Sequence, residues 1–376
     1  LTVNDFGDGK KFIAGNRCEK PLGKSKDANK NDDIYAYKIS RLSQYIGGER
    51  QNGKLNVGIP LGLNIYELLP FWHKFFTSLG FNVFTSPLST REIYLEGQYS
   101  IPSDTACYPA KLMHGHIEEL LKKNPDVIFY PDMSYNFDEK QGVDHFNCPV
   151  VAYYPQVLKA NVKALEKTEF VCDFLSLSDR KIFEKRITEI LNERFSPLAG
   201  RRFTAKEIVR AADSAYAEYF GYMEDIEKKS SEIISRAQLE GKPIIVLAGR
   251  PYHIDPEINH GVNEILRGLG VAIVSEDGVG RSGVKQDVKV RNQWTYHARL
   301  YCAAEFVANS PKERNIHLVQ LVSFGCGVDA VTTDEVRAIV EKSGRKYAQI
   351  KIDEISNSGA VTIRLRSLIS VISDLK

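Results

Sequence analysis

The chain has 376 residues, 43% of them hydrophobic, and its 50 basic residues nearly cancel 48 acidic ones to leave a net charge of +2. Such a composition suits a folded protein with room for two domains and excludes a disordered class or a polyanion-binding role legible from net charge. No apolar run approaches the ~20 residues of a membrane span and no basic-then-apolar leader is visible, so the expectation is a cytoplasmic protein without a membrane or nucleic-acid partner.

In chain order, the sequence begins at Leu1 rather than Met, as a segment cut from a longer protein would, and residues 1–50 read as an N-terminal extension with a polar loop near Lys20 to Asp33. "LNVGIP" reads as a buried strand, "LNIYELLPFWHKFFTSLG" as a helix closed by Gly80, and "FNVFTSP" as the next strand, which together make a βαβ unit. A helix near Arg91 to Gly97 follows, then a second one capped by Ser103 or Asp104 with Cys107 in its first turn. Next come the strand "DVIFYP", a long loop, a strand "VVAYYP" and a helix over Gln156 to Lys167. Residues from about Arg180 to Glu240 read as mostly helical. Strands and helices then alternate again through "PIIVLAGRPYH", "INHGVNEILRGLG", "VAIVS", "TYHARLYCAAEFVAN", "IHLVQLVSFGCG", "TTDEVRAIVEKSG", "KYAQIKID" and "AVTIRLRSLISVISDLK". The reading is α/β: two doubly wound lobes with parallel sheets, at 51–195 and 242–376, joined by a helical bridge at 196–241.

Six cysteines scattered over this length do not resemble a secreted disulfide scaffold, so they are structural, catalytic or metal-bound thiols. Ligands of open α/β sheets collect beyond the carboxyl ends of the strands, which directs attention to the segments that follow strands. "AGRPYHIDPEINHG" carries Arg250, Tyr252 and His253, candidates for substrate contact or else parts of a structural turn. "SFGCGVDAVTTDEV" sets Cys326 between Gly325 and Gly327, where small neighbours let backbone N–H groups approach sulfur, or where an ordinary turn leads into a helix. "YPDMSYNFDEKQGVDHFNCPVV" is a long loop ending at Cys148, which would sit at the wrong end of a parallel strand unless the loop runs over the top. A Cys107 thiolate at a helix N-terminus is favoured by the helix dipole and suits nucleophilic, redox or soft-metal chemistry. No CxxC pair is present, and tetrahedral zinc with cysteine and histidine ligands stays open.

His114 and His116 fall on opposite faces of the Cys107 helix, so one is expected packed or exposed; Lys111 either offsets charge near Cys107 or is solvated. Trp72 and Trp294 read as core on helices, and Cys172 and Cys302 as small buried hydrophobes.

"IPSDTACYPAKLMHGHIEEL", "FNCPVVAYYPQVLKAN", "GRPYHIDPEINHGV" and "LVSFGCGVDAVTTDEV" together resemble the motifs of the 2-hydroxyacyl-CoA dehydratase family, of the 2-hydroxyglutaryl-CoA dehydratase D-component type. The branch in question occurs as the C-terminal portion of large CoA-substrate-specific enzyme activase proteins, and "FIAGNRCEKPLG" is similar to its preceding segment. The resemblance implies two flavodoxin-like lobes around an oxygen-sensitive iron–sulfur cluster, either 4Fe–4S or double-cubane, which air would destroy. Cys107, Cys148 and Cys326 match the ligand-bearing motifs, with Cys18 as a fourth. It further implies low-potential electrons from an ATP-hydrolysing activator with its own cluster and, in the dehydratases, elimination of water from a 2-hydroxyacyl-CoA through a ketyl radical. No GxxxxGK[ST] motif is present, so this chain is expected to be the electron-accepting module of a reductase or dehydratase (lyase) system, acting on an acyl-CoA or small molecule and open to homodimerisation. Two rivals remain: a non-catalytic electron relay or scaffold, and a structural zinc protein.

Overall fold

Apolar runs of strand length between amphipathic stretches produce parallel strands buried on both faces, because each crossover helix lays its apolar stripe on the sheet. The computed structural model describes residues 2–5, 11–14, 30–280, 288–323, 325–354 and 358–373. An antiparallel pair, β1 (Thr2–Asp5) and β2 (Lys11–Ala14), precedes α1 (Ile34–Leu42). The first lobe runs β3 (Asn56–Ile59), α2 (Ile65–Ser78), β4 (Asn82–Thr85), α3 (Arg91–Gly97), α4 (Tyr108–Lys122), β5 (Val127–Phe129), α5 (Pro149–Asn161) and β6 (Glu169–Val171). Helices α6 (Arg180–Ile190), α7 (Ser196–Ala199) and α8 (Ala205–Leu239) follow. The second lobe starts with β7 (Ile244–Ala248), α9 (Pro256–Asn259), α10 (Val262–Gly268), β8 (Ala272–Ser275) and α11 (Glu276–Val279). It is completed by α12 (Thr295–Asn309), β9 (Ile316–Ser323), α13 (Gly327–Lys342), β10 (Tyr347–Ile352) and α14 (Ser358–Ser373).

Each lobe has one four-stranded parallel sheet, ordered β4-β3-β5-β6 and β8-β7-β9-β10. Counted within its own lobe, each order is second, first, third, fourth, so the chain contains two flavodoxin-like α/β lobes of the same topology. Winding reverses between the first and third strands of each sheet, and the loops leaving those strands open a crevice there. The first lobe is cored by aromatic rings: Trp72 on α2 meets Phe129 of β5 with centroids 4.8 Å apart, and Phe183 of α6 packs 5.5 Å from Phe71.

The helical bridge is chiefly α8, whose 35 residues span about 50 Å. Its start is fixed by a reciprocal cap: the Glu207 N–H donates to the Thr204 hydroxyl at 3.3 Å, and the Thr204 N–H donates to the Glu207 carboxylate at 2.9 Å. Helix α8 packs on α2 and α6 and on α11 and α1, and so touches both lobes. Helix α1, assigned from sequence to the N-terminal extension, lies against the second lobe. Asp33 bridges to Ile273 of β8, the Tyr35 hydroxyl donates to the Leu247 carbonyl at 3.1 Å, and Lys38 pairs with buried Asp277 at 2.6 Å. The polypeptide therefore passes between the lobes twice, through residues 43–55 and along α8.

Three local expectations change. "VVAYYP" belongs to a helix: Pro149 occupies its start, where a missing N–H costs nothing, and Pro155 lies inside it. The loop takes part in holding this helix, since the Met133 N–H donates to the Ala152 carbonyl at 3.0 Å. The expected helix beyond Gln156 ends at Asn161, with a 3-10 turn over Lys163–Lys167. Second, the N-cap of α4 is Cys107 itself, not Ser103 or Asp104. Third, Trp294 is the half-buried N-cap of α12 rather than a core residue on a helix.

Candidate functional site

Three thiols occupy equivalent local positions. Cys107 caps α4, Cys148 caps α5 and Cys326 caps α13, each with an extended backbone, at φ/ψ of −64°/147°, −62°/154° and −78°/107°. In that geometry a short side chain leans over the unpaired N–H groups of the first turn. At Cys148 the contact is explicit, with the Val151 N–H donating to sulfur at 3.5 Å.

The folds of the two lobes bring these caps to one place. Cys148 and Cys326 follow the third strand of their respective sheets, and Cys107 starts the crossover helix between β4 and β5, so all three stand at the carboxyl ends of strands. The helical start of α5 removes the objection that Cys148 stood at the wrong end. The loop before it reaches across to the second lobe: the Phe146 N–H donates to the Gln293 carbonyl at 3.0 Å, and the Thr295 N–H donates to the Phe146 carbonyl at 3.0 Å. Helix α4 is tied across as well, through Tyr108 to Glu257 at 2.7 Å and through the buried Lys111 to Glu354.

All three sulfurs are partly buried and lie within electrostatic reach of one another and of Arg250. Burial pushes the Cys107 thiol up to about 12; the Ala110 N–H and the Arg250 charge pull the other way, while charge on Cys148 or Cys326 adds to the rise. Cys148 is raised too, again chiefly by burial. A dipole-activated thiolate was the expectation at Cys107. Desolvation outweighs the Ala110 N–H and the Arg250 charge here, so the lone thiol is not a ready nucleophile. Buried Tyr130, Tyr154 and Tyr252 lie near the thiols, and each phenol is raised chiefly by burial, with one or more of these sulfurs adding to the rise and, at Tyr252, the Arg250 charge opposing it.

Arg250 completes the arrangement from the second lobe. Its Nη2 donates to Asp329 Oδ1 and lies 3.8 Å from Cys326 Sγ. Burial pushes the Asp329 carboxyl up, but Arg250 and His297 together outweigh this and hold it below the usual range. His297 Nε2 stands 3.8 Å from Asp329, and the Arg250 N–H donates to His253 Nδ1 at 3.0 Å. Tyr252 and His253 are buried beside it. Gly325 adopts φ +74°, which explains a glycine before Cys326, whereas Gly327 is the first residue of α13 and has open space around it.

Cys18 lies outside the described residues. Cys172 and Cys302 are buried away from these caps, as expected. His114 and His116 are both fully buried. Among the described residues no group of three or more His, Cys, Asp or Glu side chains is placed to hold a single metal ion. The described cleft of about 650 Å³ between α1 and α9–α10, lined by Tyr35, Lys229, Asn263 and Arg267, includes none of these cysteines. The caps themselves were missed by sequence reasoning, although proline one or two residues after Cys148 and Cys107 signals a helix start.

Fold and site together define a two-lobed α/β protein with helix-capping thiols gathered between its lobes. The chain belongs to the family described as the CoA enzyme activase uncharacterised domain, whose model matches residues 56–279 and so includes Cys107, Cys148 and Arg250 but stops short of Cys326. No curated protein matches the chain. Among solved structures, it is similar to a protein from Salmonella typhimurium LT2 described as sugar binding, at 9% identity and TM-score 0.22, over 94% of this chain and 97% of the other. It is also similar to glucosamine-6-phosphate deaminase from Thermotoga maritima, at 12% identity and TM-score 0.21, over 94% of each chain. No helix among the described residues is long and apolar enough to cross a membrane.

Proposed function

We propose that Cys107, Cys148 and Cys326 jointly hold an iron–sulfur cluster, with Cys18 as a further ligand. On this reading the chain is the electron-accepting module of a 2-hydroxyacyl-CoA dehydratase-like or double-cubane reductase system served by an ATP-hydrolysing activator. The observation that carries the reading is three thiols from two lobes, each the N-cap of its own helix, meeting beside one buried guanidinium. The donor set suits the group: thiolate sulfur is the usual ligand of such clusters, and N–H groups aimed at sulfur stabilise the charge.

When bound, the cluster would supply a low-potential one-electron acceptor. The protein's own contribution is to desolvate the site and fix its ligands. Thiols raised by burial must release their protons on binding, so loading is expected to weaken as pH falls. Buried Tyr130, Tyr154 and Tyr252 restrict water near the sulfurs. A second reading, an electron relay without its own substrate, is favoured by the burial of Arg250, Tyr252 and His253, the residues proposed from sequence to meet substrate.

Anaerobic reconstitution followed by iron and sulfide analysis tests the proposal. Wild-type protein should hold iron and sulfide in matched amounts, and Cys107→Ala, Cys148→Ala and Cys326→Ala should each lose most of both. Stoichiometric zinc without iron, or iron content indifferent to all three substitutions, would end it.

A further inference from the structure

We propose that the segment from Gly249 to His253 is a brace for the Cys326 thiolate, with Arg250 as a positioning residue that also raises the reduction potential of the thiol-held centre. This rests on the cluster reading above and reassigns Arg250 from substrate contact.

The guanidinium is almost fully buried, and its Nη2 serves two partners, Asp329 and, at 3.8 Å, Cys326 Sγ. Those two partners are three residues apart at the start of α13, one the N-cap and the other in the first turn. Asp329 in turn accepts the Ser323 N–H at 2.9 Å, which closes the turn from the end of β9 back onto the helix. Arg250 therefore holds the turn that presents Cys326 from the side, and a planar fork does this with less freedom than an ammonium would.

The brace is itself fixed. His253 Nδ1 accepts the Arg250 N–H at 3.0 Å, and Glu276 accepts the Gly249 N–H at 2.9 Å. Glycine is needed at 249 because a Cβ there would fall on the His253 ring. An arginine already bonded to a buried carboxylate and enclosed in this way offers little to a phosphate. Its charge instead acts on sulfur: a fixed cation near a thiolate-held centre stabilises an added electron, more strongly in a desolvated site than in water.

The test uses the full chain reconstituted anaerobically, with Arg250→Lys and the double variant Arg250→Gln/Asp329→Asn. The double variant leaves no buried unpaired charge, so far-UV circular dichroism should remain that of wild type. At a fixed solution potential its ratio of reduced to oxidised centre should be about tenfold lower than in Asp329→Asn, which lacks the carboxylate and keeps the arginine charge, read by electron paramagnetic resonance. Arg250→Lys, which keeps the charge and loses the fork, should stay near the wild-type ratio. A double variant that is folded, carries wild-type iron and shows the ratio of Asp329→Asn overturns the proposal. So does one that keeps the ratio and loses affinity for coenzyme A, which returns Arg250 to substrate binding. Absence of iron from the wild-type protein overturns the cluster reading and this inference together, whereas the other results bear on Arg250 alone.

Discussion

Both ring nitrogens of His116 lie 2.9 Å from serine hydroxyls, those of Ser86 and Ser89, and His114 is held between Ser100 at 2.8 Å and Tyr154 at 3.1 Å. Burial keeps the rings neutral and pushes the pKa down to about 3 for His116 and about 4 for His114. An unfolded histidine titrates near ~6.5, so below that pH the unfolded chain binds protons that the folded chain refuses. The resulting stability is fully present above ~6.5 and is lost as pH falls towards the folded values, at about 1.4 kcal/mol per pH unit for each histidine. His116→Gln should lower stability at neutral pH through imperfect hydrogen bonding, and should make the decline between about pH 6 and pH 4 shallower by one such slope. Urea unfolding across that range checks it; variant and wild-type curves that run parallel would refute the buried neutral ring.

At the scale of elements, α3 and α4 approach so closely that only glycine fits at their contact. A Cβ on Gly115 would fall on the Ile93 carbonyl, and one on Gly97 would fall on the backbone of Gly115. Because α4 presents Cys107 at its N-terminus, this contact sets where that thiol stands. Gly115→Ala is expected to push the helices apart, to cost about 1–3 kcal/mol of stability, and, on the proposed cluster reading, to reduce iron loading although none of the three cysteines is touched. Thermal unfolding together with iron content measures both; an unchanged midpoint and loading would show that the contact yields freely. Periodicity exposed most of these elements, because burial on one face or both leaves a regular trace in sequence, and α3 and α12 fall where composition puts them. It failed at α5, where Val150, Val151, Tyr153 and Tyr154 carry strand propensity and Pro155 mimics a boundary, while tertiary contacts hold a helix. It also could not show that Cys107, Cys148 and Cys326 share a neighbourhood with Arg250, since residues from separate crossovers meet only through the pairing of the lobes. The motif resemblance pointed to the cysteines, but the role of Asp329, a polar residue inside a helix, has no local signature.

Across the whole molecule, a triad of charges joins the two lobes. Arg299 of α12 makes paired hydrogen bonds to Glu67 of α2, and two more to Glu139 of the long loop at 2.8 and 2.7 Å. Tyr219 of the bridging helix α8 adds a hydrogen bond to Glu67 at 3.3 Å, so both lobes and the bridge meet at one carboxylate. Two passages of chain and hydrogen bonds such as Tyr108 to Glu257 keep the lobes near each other, and a bidentate charge pair adds direction. Arg299→Met preserves much of the apolar stem and removes the charge, leaving Glu67 buried without its partner. Such a loss costs about 3–5 kcal/mol, and the cost should shrink at lower pH, where Glu67 can take up a proton. Glu67→Gln combined with Arg299→Met should recover part of the loss at neutral pH, because the more deeply buried of the two stranded carboxylates is gone. If the triad acts between lobes rather than within one, Arg299→Met should also enlarge the radius of gyration in solution scattering while each lobe keeps its circular dichroism. A variant as compact and as stable as wild type at every pH would mean that the other contacts between the lobes hold them together, and that the triad is incidental to the placement of the thiols.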